Sequence, residues 1–180
     1  MDSTIFTIGH STRAMEEFIG LLQAHSVELL IDVRTIPRSR HNPQFNFEAL
    51  SSDLQRAGIA CEHAPGLGGL RRPRPNSRNT AWRNASFRGY ADYMETSEFR
   101  ENLARLIQQA TIHRTAIMCA EALWWRCHRS LIADALTVRG VVVLHIESAT
   151  KLTPHRLTSF ASVNGSAIVY DAAQPMLPEI

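Results

Sequence analysis

Lysine is almost missing from this chain. Of nineteen basic residues only Lys151 is lysine, and the rest are arginine. A GC-rich genome would produce that bias with no functional cause. The functional reading is that a planar guanidinium fork pairs bidentately with phosphate or carboxylate, as an ammonium cannot. Long hydrophobic runs are missing too. No stretch approaches the ~20 apolar residues that span a bilayer, and the opening MDSTIFTIGH carries an acid where a signal peptide carries basic residues. The expectation is a cytoplasmic protein with no membrane partner. Cysteine is scarce and odd in number. Cys61, Cys119 and Cys127 make no disulfide framework, so free thiols, metal ligands or a catalytic pair are expected. Repeats and separate linkers are also lacking. With 44% hydrophobic and 20% charged residues, the 180 residues read as one domain over 1–180, large enough to bury its own core.

What is present is an alternation of two periodicities. Apolar runs at 4 to 8, 27 to 32, 59 to 64, 114 to 121 and 141 to 147 read as buried strands, and AIVYD at 167 to 171 as a short edge strand. Between them, Met15, Phe18, Ile19 and Leu22 fall at helical spacing behind Ser11 or Thr12 as caps. Phe47, Leu50 and Leu54 mark a helix over 47 to 57, stopped by Gly58. Further helices are expected at 87 to 95, 97 to 111 and 128 to 139, the last stopped by Gly140. This order predicts an α/β domain: a mostly parallel sheet of about five strands with helices on both faces, a Rossmann-like three-layer fold. Residues 64 to 86, rich in Gly, Pro, Asn and Arg, read as one long loop, and 148 to 180 as less regular.

Ligands of such sheets sit at the carboxyl ends of the strands. Those ends carry Gly9, His10 and Ser11; Asp32 and Arg34; Glu62 and His63; Cys119 and Glu121; His145 and Glu147. The fourth end is the richest. Between 119 and 129 lie Cys119, Glu121, Arg126, Cys127, His128 and Arg129. Cys119 closes an apolar strand, where an inert buried thiol is the common outcome. Nearby arginines and a helix start would instead favour its thiolate. Cys127 precedes a helix, whose N–H groups stabilise an anion. Arg129 in a first turn opposes the macrodipole, so an anion held nearby is expected. Glu121 reads as a general acid or base, or as an ion-pair partner of Arg126 or Arg129. Of Trp124 and Trp125, one reads as filling a core gap; the alternatives are covering the crevice or stacking on a base.

Known templates fit poorly. A cysteine phosphatase loop closes on Arg after five intervening residues, whereas six separate Cys119 from Arg126 and none is glycine. The C-x7-C spacing with His128 adjacent is no specific zinc pattern. A Cys–His pair drawn from Cys119 or Cys127 with His10 or His145 would depend on tertiary geometry. Arginines fill two loops: Arg34, Arg38 and Arg40, then Arg71, Arg72, Arg74, Arg78, Arg83 and Arg88. Interleaved with His41, Trp82, Phe87 and Tyr90, they fit contact with nucleotide or nucleic acid, or else a solvated loop. Helix-turn-helix, RNA-recognition and zinc-finger signatures are absent.

TIGHS at 7 to 11, DVR with PRSR at 32 to 40, GLGG at 66 to 69, FRGYADYM at 87 to 94, CAE…CHRSLIA at 119 to 133, HI at 145 to 146 and PHRLTSFA at 154 to 161 together resemble domain-of-unknown-function family 488. The resemblance implies an α/β domain with no settled activity. It also implies Cys-Ala-Glu and Cys-His-Arg elements at Cys119, Ala120, Glu121 and at Cys127, His128, Arg129, joined here by ALWWR where the family's linker is usually polar. The leading expectation is an enzyme with Cys119, Glu121, Cys127 and His128 as its reactive group, assisted by His10 and Asp32. Arg34, Arg38, Arg129, Arg71, Arg72 and Ser11 would hold a phosphate-bearing substrate, a nucleotide or nucleic acid. The alternatives are a nucleic-acid-binding module without catalysis and a metal-binding protein with structural Cys and His ligands. No cofactor is named by the sequence.

Overall fold

The structure, a computed structural model, describes residues 3–172. Strands and helices alternate as the apolar periodicity requires. The order is β1 (Thr4–Gly9), α1 (Met15–Ala24), β2 (Leu29–Asp32), α2 (Phe47–Arg56), β3 (Ala60–His63), α3 (Ala85–Met94), α4 (Ser97–Ile112), β4 (Thr115–Cys119), α5 (Arg129–Thr137) and β5 (Val142–Ile146). After these come β6 (Leu152–Pro154), β7 (Ser162–Asn164) and β8 (Ala167–Val169). One six-stranded sheet runs β3-β2-β4-β1-β5-β6; its first five strands are parallel and β6 pairs antiparallel with β5. The sixth strand was not expected. It is three residues long, ends in Pro154 and has too few residues to show a period. β7 and β8 form a separate hairpin turning at Gly165, where φ is +60°. Segment 64 to 86 holds only a 3-10 turn at Pro65–Leu67 before α3 begins at Ala85, two residues earlier than expected.

Side chains alternate across the strands, and the core divides accordingly. Ile5, Leu29, Ile31, Ile117 and Val143 pack with Tyr90 of α3, Phe99 and Leu103 of α4 and Leu131 and Ile132 of α5. Phe6, Ile8, Leu30 and Ala116 pack with Phe18 and Leu22 of α1 and Leu50 and Leu54 of α2. Each fully buried Leu or Phe contributes about 1.5–3 kcal/mol by leaving water. The helix caps differ from expectation. Ala14 stands at the N-cap of α1 without a side-chain bond, and Ser11 takes a left-handed φ of 50° upstream. Gly58 and Gly140 do adopt positive φ, 78° and 77°, at the expected stops.

This topology locates a crevice. β1 and β4 are neighbours, but α1, leaving β1, enters one cluster while α5, leaving β4, enters the other. Connections that part in this way leave a gap at the strand ends.

Candidate functional site

Gly9 makes the site possible. A Cβ on it would collide with the Glu121 carbonyl, so the segment after β4 crosses the end of β1 only because residue 9 has no side chain. That segment makes a 3-10 turn at Trp124–Arg126 and delivers Cys127 just ahead of α5. Trp124 anchors the turn by lying flat on the His145 ring, at 4.1 Å and 3°. Trp125 remains exposed.

The result is a thiol pair. Cys119 Sγ and Cys127 Sγ are 2.7 Å apart, with 3% and 6% of each residue exposed. The Arg129 side chain turns back from the first turn of α5, and its Nε donates to Cys119 Sγ at 2.9 Å. Its other donors go to the carbonyls of Glu121 and Ala122 and to Thr7 Oγ1. Arg129 is 1% exposed and forms no ion pair with a carboxylate of the described residues. A buried guanidinium with no counter-charge is costly. An anion beside Arg129 is expected from the sequence; the group that the structure places there is the thiol pair. Burial pushes Cys119 well above the ordinary thiol range, reinforced by its hydrogen bond to Cys127. Burial also opposes ionisation of Cys127, but the Cys119 thiol, His128 and Arg129 outweigh it and hold Cys127 well below that range. The Arg129 backbone N–H adds a contact to Cys127 Sγ at 3.5 Å. His128 donates from Nε2 to the Val33 carbonyl at 3.0 Å, which leaves Nδ1 facing Cys127 Sγ at 3.5 Å. Cys61 differs: burial pushes its thiol up to about 12.

Behind Arg129 runs a buried polar chain. Arg129 donates to Thr7 Oγ1 at 3.3 Å, and Thr7 is 2.7 Å from His145 Nδ1. His145 Nε2 is 3.0 Å from His155 Nδ1, and His155 Nε2 is 2.8 Å from Asp134 Oδ1. Because a guanidinium only donates and a carboxylate only accepts, Arg129 donates to Thr7 at one end and His155 Nε2 donates to Asp134 at the other. Thr7, His145 and His155 join those ends through groups that can each donate or accept. Burial lowers His145 to about 3, with His155 and Arg129 adding to the effect. Asp134 also accepts from Tyr170 Oη at 2.8 Å and from the Thr158 N–H at 3.0 Å.

A cavity of about 260 Å³ opens onto the thiols, lined among others by Arg34, Arg38, Glu121 and His128 as well as both cysteines. Exposed Ile36 and Leu70 form an apolar rim. Arg38 is exposed, and Glu121 is exposed with only its carbonyl engaged. Asp32 and His10 form a second group around Arg34. Asp32 holds Arg34 by a two-pronged ion pair at 2.6–3.1 Å, and Arg34 also donates to the Phe45 carbonyl at 2.7 Å. His10 donates from Nδ1 to the Ser11 carbonyl and so presents a bare Nε2, 3.4 Å from Arg34 Nη1. Burial lowers His10 to about 4, and stacking on Phe45 at 4.2 Å fixes its ring. These residues reach the cavity through Arg34. Strand alternation explains the division: Asp32 faces away from its neighbours Ile31 and Val33, which belong to the cluster containing Cys119.

Arg71 and Arg72 line a separate cavity of about 220 Å³ with Arg74 and Asp92. Arg71 is held over the Tyr93 ring at 3.6 Å and donates to the Gly68 carbonyl. The aromatics expected to stack on bases face inward. Trp82 packs on Phe87, Phe160 and Tyr170, and Tyr90 is buried with its hydroxyl on the Leu67 carbonyl. At the third strand end, Glu62 meets Gln109 and His63 bonds the Arg34 carbonyl. No three His, Cys, Asp or Glu side chains among the described residues are grouped to hold a metal ion, and no helix among them is long and apolar enough to cross a membrane.

Sequence reasoning passed over Thr7, Asp134, His155 and Tyr170. Asp134, a carboxylate in the apolar stretch LIADAL, was the available signal. Among known proteins, a family model described as "Domain of unknown function DUF488" matches residues 14–136. No curated protein and no solved structure matches the chain.

Proposed function

The chain belongs to the DUF488 family, whose description carries no activity, and from the site itself we propose a thiol-dependent enzyme with the Cys127 thiolate as nucleophile. The observation that carries this reading is the buried Arg129 guanidinium, which has sulfur rather than carboxylate beside it. Covalent catalysis by cysteine needs a thiolate near neutral pH. Cys119 donates its S–H to that thiolate, Arg129 balances the charge, and His128 Nδ1 and the Glu121 carboxylate are the proton-transfer groups at the cavity wall. The substrate is phosphate-bearing, a nucleotide or nucleic acid, held by Arg38 and by Arg34 in the frame of Asp32 and His10. Arg71, Arg72 and Ser11 extend the anion contacts beyond the thiol cavity. The sheet order, with helices feeding two separate core clusters, supports a Rossmann-like three-layer arrangement as the frame.

Alkylation tests this. At pH 7 iodoacetamide should modify Cys127 far faster than Cys61, and ATP or a short single-stranded oligonucleotide should slow it. Arg38→Gln should remove that protection with stability changed by no more than about 0.5 kcal/mol, as for an unpaired surface residue. Equal rates at Cys127 and Cys61 would refute the nucleophile; protection by neither ligand would refute the substrate class. A second reading, a nucleic-acid-binding module without catalysis, is favoured by exposed Arg38, Arg40, Arg72, Arg78 and Arg83. It predicts full oligonucleotide binding by Cys127→Ser and no turnover by either protein.

A further inference from the structure

We propose that Cys119 and Cys127 form a redox couple that reduces hydroperoxides, Cys127 reacting with the oxidant and Cys119 closing a disulfide upon it. This rests on the nucleophile reading above and extends it to a different electrophile. Three observations carry it. The two sulfurs stand 2.7 Å apart, well inside ordinary non-bonded contact and a short step from the ~2.05 Å of a disulfide. Both line one cavity, so a small oxidant that reaches Cys127 has its resolving partner already in place. The third cysteine, Cys61, lies on β3 and packs with the opposite core cluster.

The chemistry balances without a metal or cofactor. Cys127 thiolate attacks the distal oxygen of a hydroperoxide; the O–O bond breaks, an S–O bond forms, and the departing alkoxide takes a proton from water and leaves as alcohol. The sulfenic acid of Cys127 is then attacked by the Cys119 sulfur. The S–O bond breaks, the S–S bond forms, and the oxygen leaves as water with the Cys119 proton. Two thiols are oxidised and one peroxide is reduced.

The surroundings set how long the product lasts. The reduced pair carries the negative charge that offsets Arg129, and the disulfide carries none. Oxidation therefore leaves a buried guanidinium unpaired, which favours return to the dithiol. The couple is a labile one, reopened by ordinary small thiols, rather than a structural bridge.

The test uses the full chain, reduced and freed of reductant, then given one equivalent of hydrogen peroxide at pH 7. Thiol counting under denaturing conditions should fall from three to one, peptide mapping should join Cys119 to Cys127, and dithiothreitol should restore all three. Cys119→Ser, or Cys119→Ala if the serine variant folds poorly, should stop at a sulfenic acid on Cys127 that dimedone traps. Cys127→Ser should lose the fast reaction. A disulfide involving Cys61, or over-oxidation of Cys127 in wild type with no bridge, overturns the proposal. If iodoacetamide still labels Cys127 rapidly in that event, the nucleophile reading survives and only the redox couple falls. If neither reagent prefers Cys127, both fall.

Discussion

Replacing Arg129 by methionine removes the guanidinium charge and keeps most of the side-chain length. Its Nε lies 2.9 Å from Cys119 Sγ, and Cys127 Sγ is 2.7 Å further on, so the cation is at most about 5.6 Å from Cys127 by that route. At an effective dielectric constant of ~20, a unit charge at that distance is worth about 3 kcal/mol, and about 6 kcal/mol if the anion sits on Cys119. Without that charge the thiolate is less favoured relative to the thiol. The assay is the pH profile of iodoacetamide alkylation at Cys127, read by peptide mass, with circular dichroism confirming the fold. In Arg129→Met the midpoint should move upward; in Arg129→Lys, which keeps charge but not the fork, it should move less. A folded methionine variant with an unchanged midpoint would refute the view that Arg129 and the thiols neutralise each other.

Acid should destabilise the protein in a defined window. His10 and His145 titrate near 6.5 when unfolded but only at about 4 and about 3 when folded, so the unfolded chain binds more protons between those values. Their contribution is complete above pH 6.5, falls as pH drops, and is gone below about 3; urea midpoints across that range should trace the decline. Gly9→Ala should cost about 3 kcal/mol or more, because the methyl group meets backbone that cannot swing aside. Urea unfolding measures that cost, and Cys127 alkylation should slow as the 120 to 122 segment is displaced. Tyr170→Phe should cost about 1–2 kcal/mol for the lost bond to Asp134, by the same denaturation measurement.

The strands that frame the site were legible because each is a contiguous apolar run, and Cys119 and Cys127 could be assigned to one crevice from the strand-end rule alone. What could not be read was the division between faces. Asp32 and Cys119 close adjacent strands, yet pleating sends their side chains to opposite sides of the sheet. A one-residue uncertainty in where a strand ends reverses that assignment. Arg129 was identified as a residue needing an anion, but not which anion, since a helix first turn does not reveal whether its side chain points out to ligand or back into the core. Trp82 and Tyr90 misled for a related reason: arginine-rich composition marks 64 to 90 as surface, while their large apolar rings are drawn inward regardless.

The polar chain from Arg129 to Asp134 also shows where the working unit begins and ends. The span that matches the family, 14–136, contains both cysteines and Arg129 but not Thr7, His145, His155 or Tyr170. It also omits β1, the strand hydrogen-bonded between β4 and β5. A fragment trimmed to that span would keep every residue of the thiol motif, yet it would strand Arg129 without its Thr7 acceptor and, lacking β1 and β5 alike, leave one edge of β4 unpaired. Family membership can be recognised from the middle of the sequence, whereas the hydrogen-bond chain behind Arg129 is completed by residues from both flanks.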